Sequence, residues 1–196
     1  ICLLQSCGAG TPVFLFDIVR LGAEAFADAG GNLRTLLDSE SVSKVMYDCR
    51  ADNDALWHQF GVRTRSTFDV QVLFALVFSN PGDRYLKGLG KALDRYLSPA
   101  ERHKADCVKE RGRDLFAPER GGSYAVWQER PMKKAVLEYA AADVRPLLGM
   151  QDKWDPTGRY RARVMSVSEQ RLETAIYAAS ACKGRHKALR DFSLGL

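Results

Sequence analysis

In the stretch KVMYDCRADNDALWHQFGV (residues 44–62), a short apolar segment runs directly into a helical pattern, which indicates the fold class. Its first half is rich in β-branched and apolar residues, which is typical of a short strand. In its second half, Ala51, Leu56 and Phe60 fall on one helical stripe, and Gly61 follows as a stop signal. A strand that leads straight into a helix predicts a domain of mixed α/β structure.

The segments on either side of residues 44–62 predict further strands and helices. Segments 1–7 and 11–21 have the composition of strands joined by a Gly- and Pro-containing turn. Helical patterns occupy the segments 32–40, 85–97 and 132–154. The order of these elements predicts a mixed sheet flanked by helices, which is the α/β class.

Two segments are harder to assign. Residues 98–127 are charged and Gly-rich without a clear period, and we interpret them as a long surface excursion with room for one short helix. From Pro156 onward, the pattern predicts one further helix with a basic end. We therefore divide the chain into a domain over residues 1–155 and a basic helical extension over residues 156–196.

The composition is that of a globular protein, with 46% hydrophobic and 27% charged residues among 196. No apolar run approaches the ~20 residues that a membrane helix requires. The net charge is +5, and residues 151–196 contribute most of it with nine basic and five acidic side chains. Such a balance permits a polyanionic partner without requiring one.

Cysteine and histidine spacing gives little support for a zinc site. The chain has five cysteines and three histidines, with no Cys-x-x-Cys pair and no ligand-like spacing between the two residue types. Free thiols in a reducing compartment are the expectation. The cysteines are Cys2, Cys7, Cys49, Cys107 and Cys182.

Three residues stand out as candidates for chemistry. Tyr139 and Asp143 are four residues apart in a predicted helix, which places them on one face, and only alanines separate them. Asp52 lies where the strand of residues 44–49 passes into its helix, a position that commonly faces a cleft beside the sheet. Taken alone, each residue is better explained as part of an ordinary solvated helix surface.

Five segments together resemble a known family. KVMYDCRADNDAL, TFDVQVLFAL, LKGLGKALDRYL, WQERPM and YAAADV occur in the order found in 3′–5′ exonucleases of the DEDD superfamily, tyrosine subclass. The chain looks like ribonuclease D and, more closely, like the exonuclease-domain proteins related to Egalitarian. The resemblance implies a ribonuclease H-like sheet flanked by helices. Asp52 matches the aspartate of the second motif, and Tyr139 and Asp143 match the third motif, Tyr-x-x-x-Asp.

The resemblance also implies a chemistry. It predicts a two-metal site for Mg²⁺ or Mn²⁺, with Asp52 and Asp143 as metal ligands, and catalytic roles for Tyr139, Asp143 and Asp52. The expected substrate is single-stranded nucleic acid, RNA more than DNA, cleaved from its 3′ end. Trp127 and Arg130 are expected to brace the third-motif helix, and the two carboxylates are expected within ~10 Å of each other.

The family's first motif, Asp-x-Glu, is expected on a strand that would precede Ile1, so the chain carries two of the four expected carboxylates. Either the beginning of the domain lies outside this sequence, or the site is degenerate. The alternative function is therefore a catalytically inactive exonuclease fold that binds RNA as an adaptor or scaffold. An intracellular location, nuclear or cytoplasmic, is expected, although no signal can be read from this N-terminus.

Overall fold

The computed structural model describes residues 1–27, 33–80 and 82–177, which form four strands and nine α-helices. The strands are β1 (Leu3–Cys7), β2 (Val13–Asp17), β3 (Lys44–Met46) and β4 (Thr67–Asp69). The helices are α1 (Ile18–Leu21), α2 (Leu33–Asp38), α3 (Arg50–Phe60), α4 (Val70–Phe78), α5 (Leu89–Tyr96), α6 (Pro99–Phe116), α7 (Lys134–Val144), α8 (Leu147–Trp154) and α9 (Arg161–Tyr177). The predicted α/β class is confirmed.

The strands form two pairs of different kinds. β1 and β2 are antiparallel, with Leu3 opposite Asp17 and Cys7 opposite Val13. β3 and β4 are parallel, with Met46 opposite Asp69. The described strands therefore form two separate two-stranded sheets, one antiparallel and one parallel.

The strand-to-helix junction of residues 44–62 forms as the pattern predicts. β3 ends at Met46, and α3 begins after Cys49, which occupies the N-cap position. The helix ends at Gly61, which adopts a left-handed conformation (φ 63°) that a glycine enters without steric penalty. The junction between strand and helix holds Asp48 at a φ of 51°, in the same left-handed region.

The hydrophobic core has two parts. The larger part joins β4, α4, α8 and α9 around Phe68, Leu73, Met150 and Val164. The smaller part packs α1, α2 and α3 together. Its buried side chains are Ile18, Phe26, Leu33, Leu37, Leu56 and Val62.

The interpretation of residues 98–127 as a surface excursion was wrong for most of its length. Pro99–Phe116 is one helix of 18 residues, the longest in the described part of the chain. A capping box begins it, because the Ser98 hydroxyl accepts from the Glu101 N–H while the Glu101 carboxylate accepts from the Ser98 N–H. Pro99 at the first helical position adds a second start signal. The remaining residues, up to Trp127, form two short 3₁₀ segments.

The helix predicted after Pro156 is present as α9, within the range that the structure describes. It packs against β4, α3 and α4, and Val164 and Val167 belong to the larger core. The basic end predicted for this segment lies outside the described residues. No helix in the described ranges is long and apolar enough to cross a membrane.

Candidate active site

Tyr139 and Asp143 lie side by side on α7 and line one wall of a cleft of about 210 Å³. The buried residues of α7, Val136 and Ala140, lie next to this pair around the helix, so the packing of their side places the pair at the edge of the cleft. The shared face predicted from their spacing is what the structure shows. Both side chains are partly buried.

The second wall of the cleft is α6, which packs closely on α7. Gly112 makes this approach possible, because a Cβ added there would lie 2.5 Å from the Cβ of Tyr139. Three cationic residues on one face of α6 line the cleft, spaced at helical intervals. They are Arg102, Lys109 and Arg113.

Lys109 touches both candidate residues of α7. Its ammonium group forms an ion pair with the Asp143 carboxylate. The same ammonium lies 3.8 Å from the centroid of the Tyr139 ring, a cation–π geometry. Only 11% of the Lys109 side chain is exposed, against 31% of the Asp143 side chain. Burial lowers the pKa of Lys109, and the charge of Asp143 acts in the opposite direction.

The Tyr139 ring is held by other aromatic rings. Phe116 meets it edge-on at 5.0 Å between centroids, and Trp127 does so at 6.2 Å. Trp127 therefore braces α7, as expected. Burial raises the pKa of Tyr139, with a further increase from Asp143, while Arg113 lowers it through its charge and a hydrogen bond. Tyr139 is thus a protonated hydrogen-bonding group at neutral pH.

Arg130 takes a different role from the one expected. Its guanidinium group pairs with both carboxylate oxygens of Asp17 and donates to the Trp127 carbonyl, at 3.1 Å. It therefore ties the end of β2 to the segment that precedes α7, and α7 itself receives no contact from its guanidinium hydrogen bonds. A hydrogen bond from Arg130 is the main cause that lowers the pKa of Asp17.

Asp52 occupies the first turn of α3 and is outside the residues that line the cleft. Asp52 is exposed at the surface, although neighbouring protein atoms partly desolvate its carboxylate. This partial desolvation raises the pKa of Asp52, and the negative charges of Asp48, Asp69 and Asp143 raise it further. The charge of Asp143 acts on Asp52 more weakly than the charges of Asp48 and Asp69 do. Their predicted separation of ~10 Å stays a prediction.

A buried ion-pair network connects α9 and β4 to the residues that precede α3. Arg171 of α9 pairs with Asp69 at 2.7 Å and with Asp48 at 3.3 Å, and it donates to the Gln71 side chain at 2.7 Å. Asp69 also accepts hydrogen bonds from the backbone N–H groups of Asp48 and Gln71, both at 2.9 Å. This network fixes the unusual backbone at Asp48, four residues before Asp52.

The two candidate carboxylates are ligands of the kind that a divalent cation such as Mg²⁺ prefers. Asp52 and Asp143 offer carboxylate oxygens, the ligands that Mg²⁺ prefers, and they repel each other when no cation lies between them. Within the described ranges, no group of three or more His, Cys, Asp or Glu side chains is arranged to hold a metal. The two candidate ligands therefore fit such an ion as a partial set.

Several site residues escaped prediction from sequence. The charged, Gly-rich composition of residues 98–127 favours a loop for Lys109 and Arg113, although Ser98-x-x-Glu101 with Pro99 is a recognisable helix start. Once the helix is recognised, residues 102, 109 and 113 fall on one face. Arg171 had no such signal, because it meets Asp69 across 102 residues of chain.

The cysteines described in the structure, Cys2, Cys7, Cys49 and Cys107, are free thiols, as expected, and Cys182 lies outside the described residues. Burial raises the pKa of the Cys49 thiol well above its usual value, with a further increase from Asp69. Cys49 is therefore a neutral packing residue at the start of α3.

Comparison with known proteins gives a consistent assignment. A family model described as 3′–5′ exonuclease matches residues 1–157. The mouse piRNA biogenesis protein EXD1 is 31% identical over 155 residues, which cover 77% of this chain and 25% of that protein. Ribonuclease D of Nitrobacter hamburgensis is 30% identical over 135 residues, which cover 69% of this chain and 30% of that enzyme.

A solved structure shares the fold. Trypanosoma brucei RNase D in complex with RNA U12 superposes with a TM-score of 0.75 at 24% identity, covering 98% of this chain and 63% of that one. The chain spans between 25% and 35% of the length of the curated relatives described as EXD1 and ribonuclease D. With the family match over most of its length, this chain belongs to the 3′–5′ exonuclease family, as a DEDD-type domain related to ribonuclease D and EXD1.

Proposed function

We propose that the protein is a metal-dependent 3′–5′ exonuclease that hydrolyses single-stranded nucleic acid, with RNA as the preferred substrate. The observation that carries the proposal is the placement of Tyr139 and Asp143 together on the wall of a charged cleft, in a chain of the exonuclease family. A plain structural domain would not require a phenol and a carboxylate to share this wall.

Each candidate residue has a distinct role in this proposal. Asp143 and Asp52 would hold divalent cations, which would lower the pKa of bound water and neutralise charge on the scissile phosphate. Tyr139, protonated and braced by Phe116 and Trp127, donates or accepts one hydrogen bond that orients the attacking water. Its raised pKa makes it unsuitable as a general base at neutral pH.

The preference for RNA rests on relatives. One is a ribonuclease D, at 30% identity, and a solved trypanosome ribonuclease D with the same fold holds RNA. The described residues carry no contact that would identify a 2′-hydroxyl, so the sugar preference is part of the proposal.

The test is degradation of a 5′-labelled single-stranded RNA by the full-length protein in Mg²⁺ or Mn²⁺. We expect a ladder that shortens from the 3′ end. Asp143→Asn should reduce the rate by about a hundred- to a thousandfold, because it removes a charged ligand worth several kcal/mol in the transition state. Tyr139→Phe keeps the ring contacts and should cost about ten- to a hundredfold, through poorer orientation. Full activity in Asp143→Asn would refute the proposed role of α7.

A second candidate is an RNA-binding adaptor on the same fold. Two observations favour it: the partial donor set in the described ranges and the neutralisation of Asp143 by Lys109. RNA binding without degradation by the full-length protein would support the adaptor over the enzyme.

A further inference from the structure

The face of α6 that lines the cleft carries three cations, together with Asp106, which is paired with Arg102, and the exposed Glu110. The exonuclease roles assigned above use none of these cations. Lys109 and Arg113 stand opposite Asp143 and Tyr139 across the cleft, and both belong to the same helix face. Arg102, farther along this face, is already paired with Asp94 at 2.7 Å and with Asp106. Lys109 is therefore the cation of α6 that is in direct contact with a proposed metal ligand.

Charge balance in the cleft changes when the site is in use. Lys109 is largely buried and its charge is compensated by Asp143. When Asp143 binds a divalent cation, Lys109 loses that compensation and its ammonium group faces a more positive cleft. A buried charge without a partner is costly, so the ammonium group then requires another anion within reach.

A nucleic-acid phosphate supplies that anion. Lysine ammonium groups bind phosphate as compact point charges on flexible stems, and a side chain of this length can swing from Asp143 into the cleft. Arg113, on the next turn, supplies a second cation at the same wall. Both cations lie within the same cleft as Tyr139 and Asp143, so a phosphate bound to them is adjacent to the reacting groups.

We propose that Lys109 is a phosphate-binding residue of the site, held on Asp143 in the metal-free protein and passed to a phosphate of single-stranded nucleic acid when Asp143 takes up a divalent cation. This inference rests on the proposed function and adds a substrate contact to it. It makes Lys109 a link through which metal and nucleic acid strengthen each other's binding.

The experiment compares wild type with Lys109→Met, which keeps the length of the side chain and removes the charge. The first measurement is Mn²⁺ affinity by calorimetry without nucleic acid. Lys109→Met should bind Mn²⁺ at least about threefold more tightly, because a competing positive charge has gone. The second measurement is the salt dependence of binding to a short phosphorothioate RNA, between about 50 and 200 mM salt. The slope of log K against log salt should fall by about 0.7, the value for one phosphate contact on a single strand.

The matched control is Lys104→Met, which removes the same charge from an exposed position on α6 outside the cleft. It should leave both Mn²⁺ affinity and the salt slope unchanged. Lys109→Gln provides a second neutral variant if Lys109→Met is too unstable to measure, and a thermal melt of each variant verifies folding.

The outcomes separate the two proposals. Tighter Mn²⁺ binding with an unchanged RNA slope would make Lys109 only a counter-ion of Asp143 and overturn the inference. An unchanged Mn²⁺ affinity would overturn it as well. Failure of the wild-type protein to bind RNA at all would overturn the proposed function itself.

Discussion

Two acid–cation pairs in the described part of the protein differ in how deeply they are buried. Asp69 is completely buried, and its partner Arg171 has 5% of its side chain exposed. Asp143 keeps 31% of its side chain exposed, and its partner Lys109 lies at the wall of a cleft. The first pair joins β4 to α9, and the second joins α7 to α6.

The difference lies in how many other bonds each acid makes. Asp69 also accepts hydrogen bonds from two backbone N–H groups, and Arg171 also binds Asp48 and Gln71. Neither side chain can therefore move away without breaking several polar contacts. Among the described residues, the Asp143 side chain pairs with Lys109 alone, and 31% of it remains exposed to solvent. A closed network of this kind fixes a backbone, whereas an open pair permits exchange of partners.

The largest expected effect comes from breaking the closed pair. Arg171→Met should lower the free energy of unfolding by about 3–5 kcal/mol, because it leaves Asp69 buried without its counter-charge. Urea denaturation followed by circular dichroism measures the change. Lys109→Met, the corresponding change in the open pair, should cost about 1 kcal/mol or less, since water can reach Asp143.

Glu173→Gln is the control for this comparison. Glu173 lies on the same helix as Arg171, but its pair with Arg63 is long, at 3.9 Å, and exposed. We expect a change within about 0.5 kcal/mol. An effect of Arg171→Met as small as that of Glu173→Gln would show that the buried network does not hold α9 in place.

Separating α6 from α7 should lower the free energy of unfolding by an intermediate amount. Gly112→Ala places a Cβ 2.5 Å from the Tyr139 Cβ, so the helices must move apart. We expect a loss of about 1–3 kcal/mol, as for other overpacked sites. Denaturation measures the loss, and Gly90→Ala is the control, because Gly90 has open space around it. A neutral Gly112→Ala would mean that the two helices are not in firm contact.

The smallest expected change in the free energy of unfolding comes from Asp52, and it depends on pH. Its pKa is raised in the folded protein, so its stabilising contribution is present below the unfolded value of about 3.9 and is lost as pH rises through the folded pKa. Asp52→Asn should therefore equal wild type in acid and become slightly more stable than wild type toward pH 7, by less than about 1 kcal/mol for an exposed group. Denaturation across this pH range, in metal-free buffer, tests the difference.

Asp17→Asn gives the opposite sign in the same experiment. Arg130 lowers the pKa of Asp17, so its contribution is present above the unfolded value and is lost as pH falls through the folded pKa. The two variants should therefore diverge from wild type in opposite directions as pH rises. Parallel curves would contradict the assigned electrostatic environments.

The parts of the fold that could be predicted from sequence are those with local signals. The end of α3 at Gly61 and the shared face of Tyr139 and Asp143 follow from helical spacing and glycine conformation. The α6 helix was missed because its charged composition concealed a clear start at Ser98. The capping box of Ser98 and Glu101 is a local signal that predicts a helix at this position.

The network around Asp69 could not have been predicted, because it joins residues that are far apart in the chain. An arginine in an amphipathic helix usually faces solvent, and nothing near Arg171 indicates that it enters the core. Sequence similarity has the same limit, since the matched family region ends at residue 157 and excludes α9.

The packing of α9 on the core determines which fragment of the protein should be chosen for expression. A fragment that ends at residue 157 would follow the boundary of sequence similarity, yet it would remove Val164 and Val167 from the core and the cation that balances Asp69. It would leave the strand-to-helix junction below Asp52 without support and expose the apolar surface that α9 covers. We therefore expect a fragment to need α9 through Tyr177 in order to fold, so the folding unit extends beyond the region that the family model matches.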